Sequence, residues 1–276
     1  MPPLILVTND DGIASPGLWA SAQALAPWGD VWVVAPARQW TGAGRCMLAN
    51  LSGRVEPVPP TPDRPWPAFR VDATPAQTVL IALLRILPRK PALVVSGINA
   101  GENVGIGITI SGTVGAALEA AASHIPALAV SLEADYEHHN AHEPALDFRV
   151  AARFTARFAQ AVLAQGGLPP GVDVLKIDVP HDATPQTPWR VCRVSRQRYY
   201  QAIPTDDGLP GYARRPNPEA VFEPDSDAYT LQVLRQVAVA PLSADLTAGV
   251  ALDSVTKWLQ SALGSQSDAS AQEVRA

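Results

Sequence analysis

Short apolar segments alternate with amphipathic segments through the first half of the chain. The apolar segments are rich in Val, Ile and Leu, and they predict buried strands over residues 4–8, 30–36, 68–73, 92–97 and 127–132. The segments between them predict helices that begin at Pro16, at Pro75 and, after a Gly-rich loop, at Thr113. Strands that alternate with helices in this way indicate an α/β protein, with a Rossmann-like, doubly wound, mostly parallel sheet between two layers of helices.

The pattern changes after residue 132. The later predicted elements are a polar loop at 133–144, a helix at 145–165, strands at 173–180 and 233–241, and a helix at 247–263. A stretch rich in Pro, Gly and Asp at 203–227 is interpreted as a hairpin or arm that packs on another subunit. The predicted organisation is a core over 1–132, a C-terminal region over 133–263 with its arm at about 196–230, and a disordered tail over 264–276.

Composition narrows the class of protein. Of the 276 residues 47% are hydrophobic and 17% charged, which is typical of a globular protein, and the net charge of −5 gives no electrostatic footprint for DNA or RNA. No apolar run approaches the ~18–20 residues that a membrane span needs, and no basic segment of a secretory signal opens the chain. We therefore expect a cytoplasmic protein. Three histidines stand in a polar loop without an element to position them and are not expected to bind metal: His138, His139 and His142.

Two adjacent carboxylates, Asp10 and Asp11, follow the first predicted strand directly. Neighbouring anions repel each other, and burying them is costly unless a cation lies between them. Asp and Gly are also turn formers, so a solvated turn is the alternative. Loops at 9–12, 37–45 and 97–111 leave the carboxyl ends of predicted parallel strands, which is where ligands collect in such a sheet.

These loops bring several oxygen ligands to one edge of the predicted sheet. To the two carboxylates they add the hydroxyl of Thr41 and the amides of Asn99 and Asn103. Carboxylate, hydroxyl and amide oxygens favour a hard divalent cation, so the sequence predicts a Mg²⁺ or Mn²⁺ site.

The segment "SGT" at 111–113 opens an Ala-rich predicted helix. Ser111 can cap the helix, Gly112 permits close approach of a ligand, and free N–H groups at a helix start favour an anion. A plain N-cap is the alternative. Beside a cation site, the segment indicates a phosphate that bridges the metal and the helix. The glycine spacing of "GITISGT" lacks the lysine of a P-loop, which argues against an ATPase.

Several motifs in order resemble those of one family. "LVTNDDGIASPGL" and "VWVVAPARQWTGAG" are followed by "VVSGINAGENVG", "ISGTVGAALEAA" and "IPALAVSL", and later by "VAVAPLSADLTA". The chain resembles the survival protein SurE family of metal-dependent nucleotidases over residues 4–132, and more faintly to about residue 260. The resemblance implies a Rossmann-like domain and a C-terminal extension whose arm assembles a dimer or tetramer.

The resemblance also implies an activity. Family members remove phosphate from nucleoside 5′- and 3′-monophosphates, and some trim short polyphosphate. One divalent ion per subunit would be held by Asp10, Asp11, Thr41 and Asn99. Asp10 would be the central acid/base or nucleophilic carboxylate, and Asp11 mainly a ligand. The residues implied for phosphate are Asn9, Asn103, Ser111, Gly112 and Thr113.

The chain departs from the family pattern at several positions. Thr41 stands where serine is usual, and "ATPAQT", which contains Gln77, replaces a stretch that usually holds an acidic residue and a cysteine. Gly107 replaces a common aspartate and Ile110 a common aromatic residue, and histidines often found at two later positions are absent: Ser243 and Gly249. We expect an active phosphatase with altered substrate preference. The alternatives are a phosphatase of another metabolite or short polyphosphate, and a weakened nucleotide- or phosphate-binding protein.

Overall fold

A nine-stranded sheet organises the chain, which the computed structural model describes over residues 1–134, 146–204, 208 and 211–273. Its strands are β1 (Leu4–Thr8), β2 (Asp30–Pro36), β3 (Val55–Val58), β4 (Ala68–Val71), β5 (Leu93–Ala100), β6 (Ala127–Leu132), β7 (Val174–Val179), β8 (Trp189–Val191) and β11 (Val237–Leu242). Within the described residues, β9 (Tyr200–Ile203) and β10 (Gly211–Arg214) form a separate antiparallel hairpin.

The strand order confirms the predicted fold class. Across the sheet it is β3-β4-β2-β1-β5-β6-β7-β11-β8, and the run from β4 to β7 is parallel throughout. β3 and β11 are antiparallel to their neighbours β4 and β7. The helices are α1 (Pro16–Leu25), α2 (Pro75–Ile81), α3 (Gly112–Ala122), α4 (Arg149–Gln165), α5 (Pro218–Val221), α6 (Asp227–Gln232) and α7 (Leu252–Glu273).

Helices cover both faces of the sheet because the central strands are apolar on both faces. Successive side chains of a strand point to opposite faces. Ile5 of β1 therefore packs in one core with Leu18 of α1 and Phe154 of α4. Leu6 packs in the other core with Val114 of α3. The result is a three-layer α/β/α arrangement in which every residue of β1 is buried.

The end of β5 differs from the prediction. The strand continues to Ala100 through a register shift between Ser96 and Asn99, so Asn99 lies at a strand end and not in a loop. Gly97 permits this irregularity. Its φ is +127°, and a Cβ there would lie 2.2 Å from the carbonyl oxygen of Val130.

Other differences lie at the edges of the sheet and beyond it. The sequence pattern did not reveal the edge strand β3, and α2 passes into a π-helical turn over Ala82–Ile86. A separate compact unit begins at Asp245, and its helix α7 runs to Glu273, past the predicted end at residue 263. Residues 274–276, and the histidines at 138, 139 and 142, lie outside the described residues. Among the helices described, none combines the length and the apolar character that crossing a bilayer requires.

A fully buried ion cluster ties the C-terminal strands to the loop after β5. The ammonium of Lys176 on β7 contacts Asp178 on the same strand, and it lies 3.0 Å from a carboxylate oxygen of Asp227 on α6. Asp178 accepts a hydrogen bond from the backbone N–H of Asn103 (2.8 Å), and Asp227 accepts one from that of Gly105 (3.2 Å). The cluster therefore fixes the path of residues 103–105.

Burial and pairing act against each other in this cluster. Burial lowers the pKa of Lys176, but the two carboxylates outweigh burial and raise it above its ordinary value. Burial raises the pKa of Asp178 to about 6, in spite of Lys176. The ammonium is therefore what allows two carboxylates to remain buried together.

Removing that ammonium should destabilise the protein. Lys176→Met is expected to lower the free energy of unfolding at pH 7 by about 3–5 kcal/mol, because it leaves two buried carboxylates without a cation. A carboxyl whose pKa is higher in the folded protein than in the unfolded chain destabilises the fold as the pH rises. The loss of stability caused by Lys176→Met should therefore be smaller at pH 5 than at pH 7. Urea denaturation measures both values. The triple variant Lys176→Met, Asp178→Asn, Asp227→Asn should recover part of the loss, and equal stability of Lys176→Met and wild type would contradict this account.

Candidate active site

The loop after β1 is shaped by the amide of Asn9. Its Nδ2 donates to the carbonyl oxygen of Gly12 (3.1 Å), and its Oδ1 accepts from the backbone N–H of Gly12 (3.2 Å). The side chain of Asn9 is fully buried. Both polar atoms of this residue are thus engaged in closing the turn that carries Asp10 and Asp11.

Asp10 is buried and faces the N-terminus of α3. The hydroxyl of Thr113 donates a hydrogen bond of 2.6 Å to its Oδ1. Burial raises the pKa of Asp10 to about 6, although the hydrogen bond from Thr113 and the backbone N–H groups of Thr113 and Gly112 lower it in part. A Cβ at Gly112 would lie 2.7 Å from Oδ2 of Asp10, so only glycine leaves room for the carboxylate.

Asp11 is also buried and turns toward β5. Its Oδ2 accepts from the backbone N–H of Ala100 (3.1 Å), and its Oδ1 lies 3.4 Å from Nε2 of Gln39. Burial, and then the charge of Asp10, raise the pKa of Asp11 well above its ordinary value. The two carboxylates therefore do not lie in a solvated turn, and the cation predicted between them stays a prediction.

Thr41 and Asn99 flank the carboxylate pair. The hydroxyl of Thr41 accepts from Nε2 of Gln39 (2.9 Å), so Gln39 links Thr41 to Asp11. The Nδ2 of Asn99 donates to the carbonyl oxygen of Gly101 (2.7 Å), and among the described residues nothing donates to its Oδ1. Sequence reasoning missed Gln39, because a glutamine in a loop carries no pattern of its own.

The predicted phosphate residues lie around the start of α3. Ser111 caps the helix, accepting at its Oγ from the backbone N–H of Val114 (3.2 Å). The Nδ2 of Asn103 lies 2.9 Å from the hydroxyl of Ser131 and 3.4 Å from that of Thr113. Because the hydroxyl of Thr113 donates to Asp10, it orients the carboxylate directly.

One cavity joins these groups. It has a volume of about 640 Å³, within the range of small-molecule sites, and its lining includes Asp10, Thr41, Asn99, Asn103 and Ser111. The three loops predicted to share a crevice do therefore meet at this cavity. Its remaining wall comes from residues 104–110 and from the segment that contains β9 and β10.

The oxygen atoms at this edge fit a divalent cation. Neither Asp10 nor Asp11 forms an ion pair with a basic side chain among the described residues. Their hydrogen-bond donors are neutral, and both pKa values are raised. The neighbouring Thr41 hydroxyl and Asn99 amide complete a donor set made only of oxygen, which suits Mg²⁺ or Mn²⁺.

A second group with metal-ligand chemistry has a different balance of charge. One ligand atom each of Glu133, His181 and Asp182 lie within 4.8 Å of one another. The guanidinium of Arg235 donates to Glu133 (2.7 Å) and to Asp182 (2.5 Å). Burial raises the pKa of Glu133, but the hydrogen bonds and charge of Arg235 and the donors of His181 outweigh burial and bring it to about 2. Arg235 thus supplies the positive charge here.

Four of the departures from the family pattern, at residues 41, 77, 107 and 110, fall in two places. Gln77 completes a capping box with Thr74, in which each side chain bonds the backbone N–H of the other (3.3 and 3.2 Å). This departure therefore stabilises the start of α2. Gly107 and Ile110, in contrast, line the cavity, as does Thr41. The changes that bear on ligands lie mainly in the cavity wall.

Fold and site together define a Rossmann-like α/β protein in which Asp10, one of a buried carboxylate pair, and Ser111 at a helix N-terminus line one cavity. The chain belongs to the survival protein SurE family, whose model matches residues 5–201. It is 42% identical over 260 residues to the 5′-nucleotidase SurE of Thermococcus kodakarensis, covering 92% of this chain and 98% of that relative. It is 38% identical over 259 residues to 5′-nucleotidase SurE 1 of Thermus thermophilus, covering 93% and 98%.

A solved structure is also similar. The crystal structure of the SurE protein from Aquifex aeolicus superposes with a TM-score of 0.72 at 30% identity, and the match covers 94% of this chain and 98% of that one. The shared fold therefore extends well beyond the first 132 residues, into the region where the sequence resemblance is fainter.

The raised pKa of Asp10 makes the metal-free protein sensitive to pH. A carboxyl whose pKa rises from 3.8 to about 6 on folding costs about 3 kcal/mol once ionised. The cost is absent below pH 4, grows between pH 4 and 6, and is complete at pH 8. Asp10→Asn should therefore raise the free energy of unfolding in EDTA at pH 8 by about 2–3 kcal/mol and change it little at pH 4, as urea denaturation would show. The exposed Asp225→Asn is the control, and an equal effect of both variants would contradict the prediction.

The contact between Gly112 and Asp10 can be tested separately. Gly112→Ala must displace the Asp10 carboxylate, and we expect it to weaken Mn²⁺ binding about tenfold to hundredfold, because a ligand that is moved out of position binds the ion less tightly. Calorimetric titration measures the affinity. Gly107→Ala is the matched control, because a Cβ there meets no described atom within 4 Å. Unchanged affinity in Gly112→Ala would show that Asp10 does not bind the ion.

Proposed function

We propose that this protein is a divalent-metal-dependent phosphomonoesterase that hydrolyses nucleoside 5′-monophosphates, and also 3′-monophosphates, to nucleoside and phosphate. The observation that carries the proposal is the buried pair Asp10 and Asp11, of which Asp10 lines a cavity together with Ser111 at the N-terminus of α3. Membership of the SurE family, and relatives named 5′-nucleotidase, support the reaction type.

One Mg²⁺ or Mn²⁺ ion would be held by Asp10, Asp11, Thr41 and Asn99. When bound, the ion supplies positive charge that polarises the phosphoryl oxygens and offsets the two carboxylates. The oxygen-only donor set and the raised pKa values of both carboxyls support this assignment.

The phosphate group would bind in the cavity beside Asp10 and the start of α3. The positive end of the helix dipole favours a dianion there, and Asn103 and Ser111 line the same cavity. The backbone N–H groups of Gly112 and Thr113 also lie at the helix start, where they bond Asp10. Asn9 contributes by holding the turn, since both of its polar atoms bond Gly12.

Asp10 is the residue we assign to proton transfer. Water attacks phosphorus and gives a proton to Asp10 as the ester P–O bond breaks, and the leaving nucleoside oxygen takes up a proton from Asp10 or from solvent, which yields the alcohol and phosphate. The 2.6 Å hydrogen bond from Thr113 fixes the orientation of the Asp10 carboxylate. Asp11 acts mainly as a ligand.

The altered cavity wall bears on substrate choice. Gly107 and Ile110 lie in the wall, whereas the carboxylates, Asn99 and Ser111 are retained. Retention of the polar groups favours an enzyme over a phosphate-binding protein without turnover. Assembly into a dimer or tetramer and a cytoplasmic location stay predictions from the sequence.

The proposal predicts metal-dependent release of phosphate. Purified protein with Mn²⁺ or Mg²⁺ should hydrolyse nucleoside monophosphates and p-nitrophenyl phosphate, and EDTA should abolish the reaction. Asp10→Asn should lower kcat by about 100-fold or more, because it removes the base while keeping the shape of the side chain. Released phosphate is measured under saturating substrate.

The matched control is Asp225→Asn, an exposed carboxylate that pairs with Arg193. It should retain the wild-type rate. Near wild-type turnover by Asp10→Asn would overturn the assignment of Asp10. If the protein bound Mn²⁺ but released phosphate from none of the substrates, the binding-protein alternative would be favoured.

A further inference from the structure

The cavity extends past Asp10, and the segment around the β9–β10 hairpin forms its outer wall. The wall consists of Ile106 and Ile110 from the loop before α3 and, from the hairpin segment, Arg198, Tyr199, Tyr200 and Tyr212. Three of these side chains are large and unusually exposed: Ile106 is 49%, Ile110 58% and Tyr212 42% exposed. An apolar and aromatic wall that continues from a phosphate site is the surface that a planar organic group would cover.

The hairpin is fixed to the loop that carries the polar site. Glu102, only 4% exposed, accepts hydrogen bonds from the hydroxyl of Tyr200 (2.7 Å) and from Nε of Arg214 (3.1 Å). Arg214 also donates to the carbonyl oxygen of Ala134 (2.5 Å). Tyr212 and Arg214 are two residues apart on β10, so they point to the same face of the hairpin. Tyr212 is therefore held toward the cavity.

Arg198 brings a charge to this wall. Its side chain is exposed and lines the cavity, and among the described residues it has no carboxylate or hydrogen-bond partner. The nearby Arg193 and Arg214 are in contrast paired, with Asp225 and Glu102. The segment before Arg198 is anchored, because the carbonyl oxygen of Gln197 accepts from the backbone N–H of Ile106 (3.2 Å).

We propose that this wall is a subsite for a 6-oxopurine base, with the ring of Tyr212 stacking on the base and Arg198 donating to its O6 and N7. The inference rests on the proposed nucleotidase function and names its preferred substrates, the monophosphates of guanosine and inosine. A guanidinium presents two parallel N–H donors, and O6 and N7 of a 6-oxopurine are two adjacent acceptors. Adenine offers a donor at N6 in place of O6, and a pyrimidine lacks N7 altogether.

The surroundings of Arg198 favour a base over a second phosphate group. Tyrosine rings and isoleucine side chains provide stacking and apolar contact, which suit a nucleobase. A phosphate subsite would instead contain several hydrogen-bond donors with positive charge. Apart from the paired Glu102 and Arg214, the charged side chain in the described part of this wall is Arg198.

Substrate kinetics test the subsite. Wild type should show a higher kcat/KM for GMP and IMP than for AMP and CMP. Arg198→Gln should lower kcat/KM for GMP and IMP about tenfold, and leave p-nitrophenyl phosphate unaffected because it has no O6 and N7. Arg198→Lys keeps the positive charge but lacks the two parallel N–H donors of the guanidinium, so it should behave like Arg198→Gln. The control Arg196→Gln changes an exposed arginine outside the cavity lining and should match wild type.

Nucleoside binding provides a readout that does not need turnover. In calorimetric titrations, wild type should bind inosine more tightly than adenosine, and Arg198→Gln should abolish the difference. The subsite is overturned if wild type and Arg198→Gln have the same GMP-to-AMP ratio of kcat/KM, or if wild type binds inosine and adenosine equally. Full rescue by Arg198→Lys would point to a second phosphate and also overturn it. Failure to hydrolyse any monophosphate, including p-nitrophenyl phosphate, would instead overturn the nucleotidase proposal, while the inosine titration still decides the subsite.

Discussion

The burial of two adjacent carboxylates is the constraint on which the rest of the site depends. β1 lies between β2 and β5, so the residues at its carboxyl end are enclosed on both sides, and Asp10 and Asp11 are 5% and 2% exposed. The chain surrounds them with neutral donors from Thr113, Ala100 and the start of α3, and their pKa values remain raised. A divalent cation would remove this penalty and attract a phosphate dianion, so the same cost of burial supports both the metal site and the reaction that we propose.

The loop between Asn99 and Ser111 is held by buried charges on two sides. On one side, Asp178 and Asp227 bond the backbone N–H groups of residues 103 and 105 and are themselves balanced by Lys176. On the other, Glu102 binds the hairpin through Tyr200 and Arg214. Elements far along the chain thus set the position of the polar groups that we assign to phosphate. The hairpin lies in the segment predicted to be an arm; it forms a wall of the cavity, and its packing on another subunit stays a prediction.

The sequence predicted those features whose signals are local. The apolar run before Asp10 indicates a strand buried on both faces, and Thr74 with Pro75 marks the start of α2. The meeting of three loops at one edge follows from parallel strand order. The hydrogen bond from Thr113 to Asp10, in contrast, joins residues 103 positions apart, and the contact of Asp11 with Ala100 depends on the register shift after Ser96. Such contacts leave no periodicity in the sequence, and a lone Glu102 in a Gly-rich loop gives no sign that it is buried.

The measurement that tests the central claim most directly is a count of bound Mn²⁺ by electron paramagnetic resonance in three proteins: wild type, Asp11→Asn and His181→Ala. Asp11 belongs to the buried pair, and His181 to the group that Arg235 already balances. The account predicts one ion per chain in wild type and in His181→Ala, and loss of the ion in Asp11→Asn. If Asp11→Asn kept the ion and His181→Ala lost it, the metal would bind at the group of Glu133, His181 and Asp182, which would contradict the account.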